Sequence, residues 1–134
     1  MFSYLANPAR FDGFARIAVP IAGWLALVLV GAGLWLGLFN SPPDYQQGET
    51  IRIMYVHVPA AWLGLSLYLA MGAASFVYFV WRHPVADLAA ASIAPIGAVF
   101  AALCLITGAL WGKPTWGAWW VWDARLTSML IQLL

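Results

Sequence analysis

The sequence predicts an all-α bundle of transmembrane helices, and three observations lead to this fold class. Hydrophobic residues make up 64% of the 134 residues and charged residues only 8%. The mean hydropathy is +0.85, and a water-soluble domain of this composition would lack the polar residues that cover its surface. Three long runs contain no Asp, Glu, Lys or Arg, and each exceeds the roughly 20 apolar residues that cross a bilayer core.

The predicted spans follow one another along a single membrane domain, residues 1–134. The first exceeds the apolar core of about 7 to 15 residues in a signal peptide, so we interpret it as a retained span. A fourth apolar run begins near Leu126 and is too short to cross a bilayer, so we interpret the chain as truncated at its C-terminus. The complete spans cover about residues 17–39, 53–81 and 88–111, and a tryptophan-rich loop covers residues 111–127.

Composition also excludes several classes of function. The single cysteine, Cys104, excludes an internal disulfide, a CxxC redox pair and a covalent CxxCH haem site, and we interpret it as a packing residue. A formal net charge of +1 provides no basic patch, so we expect no nucleic-acid partner. No GxxxxGK[ST] phosphate loop occurs, so an ATPase would have to be a separate chain.

The number of crossings decides which residues can meet. With one crossing per span, His57 and the tryptophan-rich loop lie on the same side of the membrane. His83 follows His57 by 26 residues, or about 39 Å of helix, and so lies near the opposite face. Positive charges are balanced between the two sides, but Arg10 and Arg16 before the first span favour a cytoplasmic N-terminus and an outward tryptophan loop.

Five tryptophans lie within twelve residues at the end of the third span. If residues 116–123 are helical, the spacing i, i+3, i+4, i+7 places several of them with Asp123 on one face. That face would be a broad apolar plate suited to a large planar ligand. An aromatic belt at the membrane surface, a cage for a quaternary ammonium group and a platform for a sugar are the alternatives. The tryptophans are Trp111, Trp116, Trp119, Trp120 and Trp122.

His57 is the second candidate, because an ionisable side chain at membrane depth needs a partner or a metal. The alternative is a histidine bonded to a backbone carbonyl. Pro59 suits a first helical turn, which would place His57 near the helix N-cap. Ala61, Gly64 and Tyr68 would share its face and leave room beside the ring.

Charged residues around the tryptophans form the third candidate. Asp123 and Arg125 are expected either to pair with each other at the start of the last helix or to form the polar edge of the plate. At such an edge Arg125 could bind a ligand carboxylate with two hydrogen bonds, and Lys113 could do so less directionally. The ligand would be flat, apolar and acidic at one edge.

Two segments resemble a known family. "WGKPTWGAWWVWDARLT", residues 111–127, resembles the WWD signature of haem-handling membrane proteins in cytochrome c assembly. "IMYVHVPAAW", residues 53–62, resembles the second-helix segment of one branch, the haem exporter protein C family (CcmC). The order and spacing of the two motifs around the spans also match that branch.

This resemblance implies a protein of about six spans and twice this length, with the WWD loop holding haem b at the periplasmic face. It also implies delivery of haem to a periplasmic haem chaperone, beside an ABC-type ATPase and membrane subunits of the cytochrome c maturation complex. His57 matches the first of two axial iron ligands, and the second would lie beyond the motif. The residues that would form the haem surface are Trp116, Trp119, Trp120, Trp122 and Asp123, with Arg125 at the polar edge.

The function predicted from these observations is haem binding and delivery, without catalysis, in the bacterial inner membrane. One alternative is a structural subunit that docks partners through its aromatic loop without binding haem. An enzyme acting on a lipid-linked or glycosidic substrate ranks last, because no pair of nucleophile and base lies near the tryptophans.

Overall fold

The computed structural model describes residues 8–134, and regular structure in that range consists of helices joined by short connections. Three helical segments, Ala9–Asn40, Glu49–Trp81 and Pro84–Trp116, are long and apolar enough to cross a membrane. The predicted all-α transmembrane bundle is therefore confirmed. The helices are α1 (Pro8–Trp35, continued by a π-helical turn, Leu36–Asn40), α2 (Met54–Trp81, preceded by a 3-10 turn, Glu49–Ile53), α3 (Pro84–Trp116) and α4 (Ala124–Leu133).

α3 is longer at both ends than the predicted third span. Pro84 occupies its start, where a fixed φ and a missing N–H suit the first turn, and Asp87 in that turn is favourable at a helix N-terminus. The apolar run began only after this aspartate. At the other end the helix continues through Pro114 until Gly117, whose φ of 78° ends it in the left-handed conformation.

α2 and α3 are antiparallel neighbours and form the main helix pair. Ala60 and Ala101 are 1% and 2% exposed at their contact. A Cβ atom on Gly64 would lie 3.6 Å from the Ala101 backbone nitrogen, so the two backbones approach closely there. Small residues at a helix crossing permit this approach, which favours packing between membrane helices.

The connection between α1 and α2 is fixed by Arg52. Its guanidinium donates hydrogen bonds to the Leu38 carbonyl and, at 3.2 Å, to the Ser41 carbonyl. These carbonyls lie at the end of α1, where carbonyl groups no longer find backbone N–H partners within the helix. A Cβ on Gly37 would lie 2.9 Å from the Cβ of Tyr55, so glycine lets the end of α1 contact the start of α2.

α4 packs across α3 near the end that carries the tryptophans. Asp123 precedes the helix in extended conformation, and its carboxylate accepts the Leu126 N–H at 2.8 Å. This N-cap satisfies one of the donors left free at a helix start. Met129 is buried with Ala60 and Cys104, so α4 closes one side of the space between α2 and α3.

Candidate functional site

A cavity of about 390 Å³ opens where the start of α2, the end of α3 and the start of α4 meet. Its volume lies within the roughly 300 to 1,000 Å³ typical of small-molecule sites, and its lining is mainly apolar with a few polar groups, as in such sites. We call it the His57 cavity. Among its lining residues are His57 and Ala61 of α2, Gly108, Trp111 and Trp116 of α3, Asp123 at the N-cap of α4, and Arg125 and Met129 of α4.

His57 is the fourth residue of α2 and is partly buried. Its Nδ1 lies 3.1 Å from the Cys104 carbonyl oxygen and 3.0 Å from the Thr107 hydroxyl. A carbonyl oxygen only accepts, so Nδ1 carries the ring proton and donates it. In the part of the chain that the structure describes, Nε2 has no hydrogen-bond partner. The ring thus keeps one nitrogen lone pair for a ligand.

Gly108 makes room for this imidazole on the surface of α3. A Cβ atom at that position would lie 3.1 Å from the His57 Cε1 and 3.6 Å from its Nδ1. Sequence reasoning missed Thr107 and Gly108 as site residues. Their signal was the i, i+3, i+4, i+7 spacing of Cys104, Thr107, Gly108 and Trp111, which places all four on one face of a helix.

The expected helix start around Pro59 is wrong. α2 begins at Met54, directly after the 3-10 turn, so Pro59 is the sixth residue of α2 and His57 lies inside the helix rather than at its N-cap. The predicted face of small residues is also divided. Ala61 lines the His57 cavity, whereas Gly64 is buried against α3 and lines, with Tyr68, a separate space of about 20 Å³.

The predicted helical plate of residues 116–123 is absent from the structure, and the irregular segment is shorter than the predicted loop 111–127. Trp116 is the last residue of α3, because Gly117 turns the backbone into the left-handed region. Residues 118–123 are irregular before the Asp123 cap. Trp119 and Trp120 therefore do not share a helical face with Trp116.

The tryptophans instead form separate contacts. Trp116 lines the cavity and meets Trp111 edge to face, with ring centroids 5.0 Å apart at 84°. Trp120 and Trp122 pair in the same manner at 5.3 Å and 77°, and Trp119 lies 5.9 Å from the Lys113 ammonium group. Of the predicted site residues, the cavity brings together His57, Trp116, Asp123 and Arg125 and leaves out Trp119, Trp120 and Trp122.

Asp123 and Arg125 form the polar edge of the cavity. The Leu126 N–H and the Arg125 guanidinium both donate to the Asp123 carboxylate, at 2.8 Å and 2.7 Å, and hold its pKa below the ordinary value. The guanidinium also lies over the Trp116 ring, 5.3 Å from its centroid. The pairing anticipated from sequence is therefore present, and Arg125 retains N–H donors that this pair does not use.

A second cavity, of about 380 Å³, lies on the other side of Trp111. Gln47, Thr50 and Thr115 are among its lining residues. The Trp111 indole N–H donates a hydrogen bond to the Gln47 side-chain oxygen at 2.8 Å. Trp111, which lines both cavities, thus separates them.

One side chain of this region, His57, has the geometry of a possible metal ligand. Within residues 8–134, no cluster of three or more His, Cys, Asp or Glu residues could hold a free metal ion. His57 is nevertheless arranged as a single ligand, because a metal-binding histidine commonly donates its other ring N–H to a carbonyl. This arrangement suits a metal that already carries most of its ligands.

Comparisons with known proteins agree with the motifs. The family model described as "Heme exporter protein C" matches residues 1–134. A protein of that name from Bradyrhizobium diazoefficiens is 49% identical over 130 residues, which cover 97% of this chain and 49% of the relative. The corresponding protein of Haemophilus influenzae is 54% identical over 112 residues, or 84% of this chain and 46% of the relative. The protein of that name from Escherichia coli K12 is 46% identical over 129 residues, which cover 96% of this chain and 53% of the relative.

This chain spans about half the length of the curated relatives it matches. The match of the family model over the whole chain, together with the identity to these relatives, establishes the family. The chain belongs to the haem exporter protein C family.

Proposed function

We propose that this chain binds haem b in the His57 cavity, with His57 Nε2 as an axial iron ligand, and presents it for delivery in c-type cytochrome biogenesis. The proposal rests on the hydrogen bonding of the two ring nitrogens of His57. Nδ1 is bonded to α3, and Nε2 is left with its lone pair on a side chain that lines the cavity. Bound haem would supply an iron with an open axial position.

The lining of the cavity also suits a flat macrocycle. Trp111 and Trp116 provide two perpendicular aromatic walls, and Ala61 with Gly108 leaves space beside the imidazole. Arg125 at the rim has the planar donor set that binds carboxylates with two hydrogen bonds. One side of the cavity would hold the apolar ring and the other the acidic edge of the ligand.

The wider role follows from the names of the relatives, which describe haem export. In this proposal the chain lies in the bacterial inner membrane with a cytoplasmic N-terminus and a periplasmic tryptophan segment. A periplasmic haem chaperone would receive the haem, and an ABC-type ATPase with further membrane subunits would complete the assembly. The resemblance implies that the second axial histidine lies C-terminal to the tryptophan segment.

The test is optical and uses the two histidines of the chain. The protein is purified in detergent, haem is added, and the Soret band and haem stoichiometry are recorded for wild type, His57→Ala and His83→Ala. His83 directly precedes α3 without a side-chain capping hydrogen bond, lies at the opposite end of the helix pair and serves as the matched control. We expect loss or displacement of the Soret band in His57→Ala alone, with partial recovery on adding imidazole. An unchanged spectrum in this variant would remove His57 from the axial role.

A structural subunit that docks partners without haem is the second candidate, and the position of two tryptophans favours it. Trp119 and Trp122 are 56% and 75% exposed and lie outside the cavity. Exposed aromatic side chains of this kind are enriched in protein interfaces. For Trp119→Ala and Trp122→Ala, partner retention and haem content are therefore measured separately. If only Trp116→Ala loses partner binding, and loses haem binding with it, the docking role of Trp119 and Trp122 is contradicted.

A further inference from the structure

Thr107 is a buried polar residue, 8% exposed, on the face of α3 that contacts α2. Its hydroxyl oxygen lies 3.0 Å from His57 Nδ1. A hydroxyl removed from water costs free energy unless its polar atoms are bonded. In this protein both its proton and its oxygen have partners, and the direction of each hydrogen bond can be worked out.

The Thr107 hydroxyl donates its single proton to a helix carbonyl. The Leu103 carbonyl is nearest, at 2.7 Å, and the Cys104 carbonyl lies at 3.2 Å. Such bonds to residues three or four positions earlier are usual for a threonine inside a helix. With the proton committed to the helix, the oxygen presents its lone pairs to His57.

Nδ1 of His57 therefore faces two acceptors, the Thr107 hydroxyl oxygen and the Cys104 carbonyl oxygen. A lone pair on Nδ1 would be repelled by both oxygens, whereas a proton bonds to both. Because a neutral imidazole carries only one ring proton, Nε2 is then unprotonated. The position of Gly108 against Cε1 keeps the ring in the orientation that makes these contacts.

We propose that Thr107 is a positioning residue, which holds His57 in the Nδ1-protonated tautomer and leaves the Nε2 lone pair for a ligand in the cavity. Its link to haem rests on the proposed function, since only a nitrogen with a lone pair binds iron. The Cys104 carbonyl belongs to the backbone and is present whatever residue occupies position 104. Thr107 is thus the side chain through which substitution changes the tautomer.

The first experiment needs no haem. The protein is labelled with 15N-histidine, and the nitrogen resonances of the ligand-free chain are recorded in detergent. Only two histidines contribute, so His83 is an internal reference. We expect His57 in wild type to show a protonated Nδ1 and an unprotonated Nε2. Thr107→Val removes one acceptor, because valine has nearly the same shape as threonine but no hydroxyl. The ratio of the two tautomers should then move about fivefold towards Nε2–H, the change expected for loss of one hydrogen bond.

Thr107→Ser and Thr115→Val are the matched controls. Serine keeps the hydroxyl beside Nδ1. Thr115 bonds to the Trp111 carbonyl at 2.8 Å in the same helix and has no hydrogen bond to His57, so its valine variant loses only the bond within the helix. Both controls should retain the wild-type tautomer.

The second experiment measures haem affinity by Soret titration of the same four proteins. Loss of a group that orients a metal-binding histidine typically weakens affinity by about 10- to 100-fold. We expect about tenfold weaker binding in Thr107→Val and wild-type binding in both controls. A Thr107→Val chain that fails to fold would be recognised by its circular dichroism, and Thr107→Ala, which also lacks the hydroxyl, then takes its place in both experiments.

Two results would overturn the proposal. The first is a wild-type His57 protonated on Nε2, and the second is a folded Thr107→Val with the tautomer ratio of wild type. A tautomer ratio that shifts in Thr107→Val, together with a haem spectrum that does not depend on His57, would support the role of Thr107 in setting the tautomer. That same result would contradict the proposed function, so the two failures are distinguishable.

Discussion

The side-chain oxygen of Gln47 accepts the indole N–H of Trp111 at 2.8 Å, across 64 residues of sequence. This bond joins the connection between α1 and α2 to the end of α3. Since Trp111 lines both the His57 cavity and its neighbour, Gln47 fixes the orientation of the wall between them. The wall is a side chain, and its position depends on one hydrogen bond and on the Trp116 ring.

Gln47→Leu should therefore speed the release of bound haem by about fivefold, because loss of one hydrogen bond of about 1 kcal/mol frees the indole to rotate. The measurement is the rate at which excess apomyoglobin captures haem from the protein. Gln47→Glu keeps an acceptor and should release haem at the wild-type rate. Gln46→Ala is the neighbouring control, because Gln46 lines the second cavity without bonding to Trp111. Equal rates in all four proteins would show that the bond does not hold the wall.

Gly108→Ala should weaken haem binding by displacing the imidazole. The added Cβ would lie 3.1 Å from His57 Cε1, closer than most such contacts, so the ring must move by a few tenths of an ångström. Misplaced ligands of this kind reduce metal affinity by about tenfold or more. A Soret titration measures the change. Gly97→Ala is the control in the same helix, since its Cβ would make an ordinary 3.6 Å contact with Leu67.

If Gly108→Ala and Gly97→Ala bind haem equally well, the ring has room that the structure does not indicate. The spectrum should also change in Gly108→Ala, because a tilted imidazole alters the iron ligand field. Adding free imidazole should not restore the native spectrum, as the displaced His57 ring still occupies the position beside iron.

Much of this architecture could be predicted from sequence, because bilayer thickness requires apolar runs of a certain length. The same constraint placed His57 and the tryptophans on one side and His83 on the other. What the sequence could not provide was the register between α2 and α3. Thr107 and Gly108 lie about 50 residues from His57, and the packing of α2 against α3, with Gly64 against Ala101, brings them together.

The prediction of a helical plate over residues 116–123 was wrong for a local reason. The tryptophan spacing fits one helix face, but Gly117 interrupts that segment, and a glycine after a helix commonly ends it. Asp123 six residues later is a strong start signal for the next helix. Together these two signals outweigh the periodicity. Trp116 therefore lines the cavity, Trp119 and Trp122 are exposed, and Trp120 is half-buried outside the cavity.

Arg125→Gln should weaken binding of haem but not of its dimethyl ester, which lacks charged carboxylates. A hydrogen bond between two charged groups is stronger than one between neutral groups. However, the Arg125 side chain is 75% exposed, so solvent screening reduces the free energy that this bond contributes. We therefore expect about three- to tenfold weaker haem binding, measured by Soret titration with each ligand. Arg16→Gln, which removes an exposed arginine paired with Asp12, should leave both affinities unchanged. A similar loss for haem and ester would mean that Arg125 acts only by shaping the helix start.

The Asp123 cap gives a prediction about pH. Its pKa lies below the ordinary value of about 3.9, first because the Leu126 N–H donates to the carboxylate and second because Arg125 does. A carboxylate whose pKa is lower in the folded state stabilises that state fully above the unfolded pKa, and the contribution is lost as pH falls through the folded pKa. The start of α4 should thus be insensitive to pH above about 4 and should loosen only below it.

The Leu126 amide resonance reports this directly, with a midpoint below the ordinary aspartate value. In Asp123→Asn, which keeps an oxygen acceptor but no titrating group, that transition should disappear, and a midpoint above 4 in wild type would contradict the stabilising contacts seen at the carboxylate.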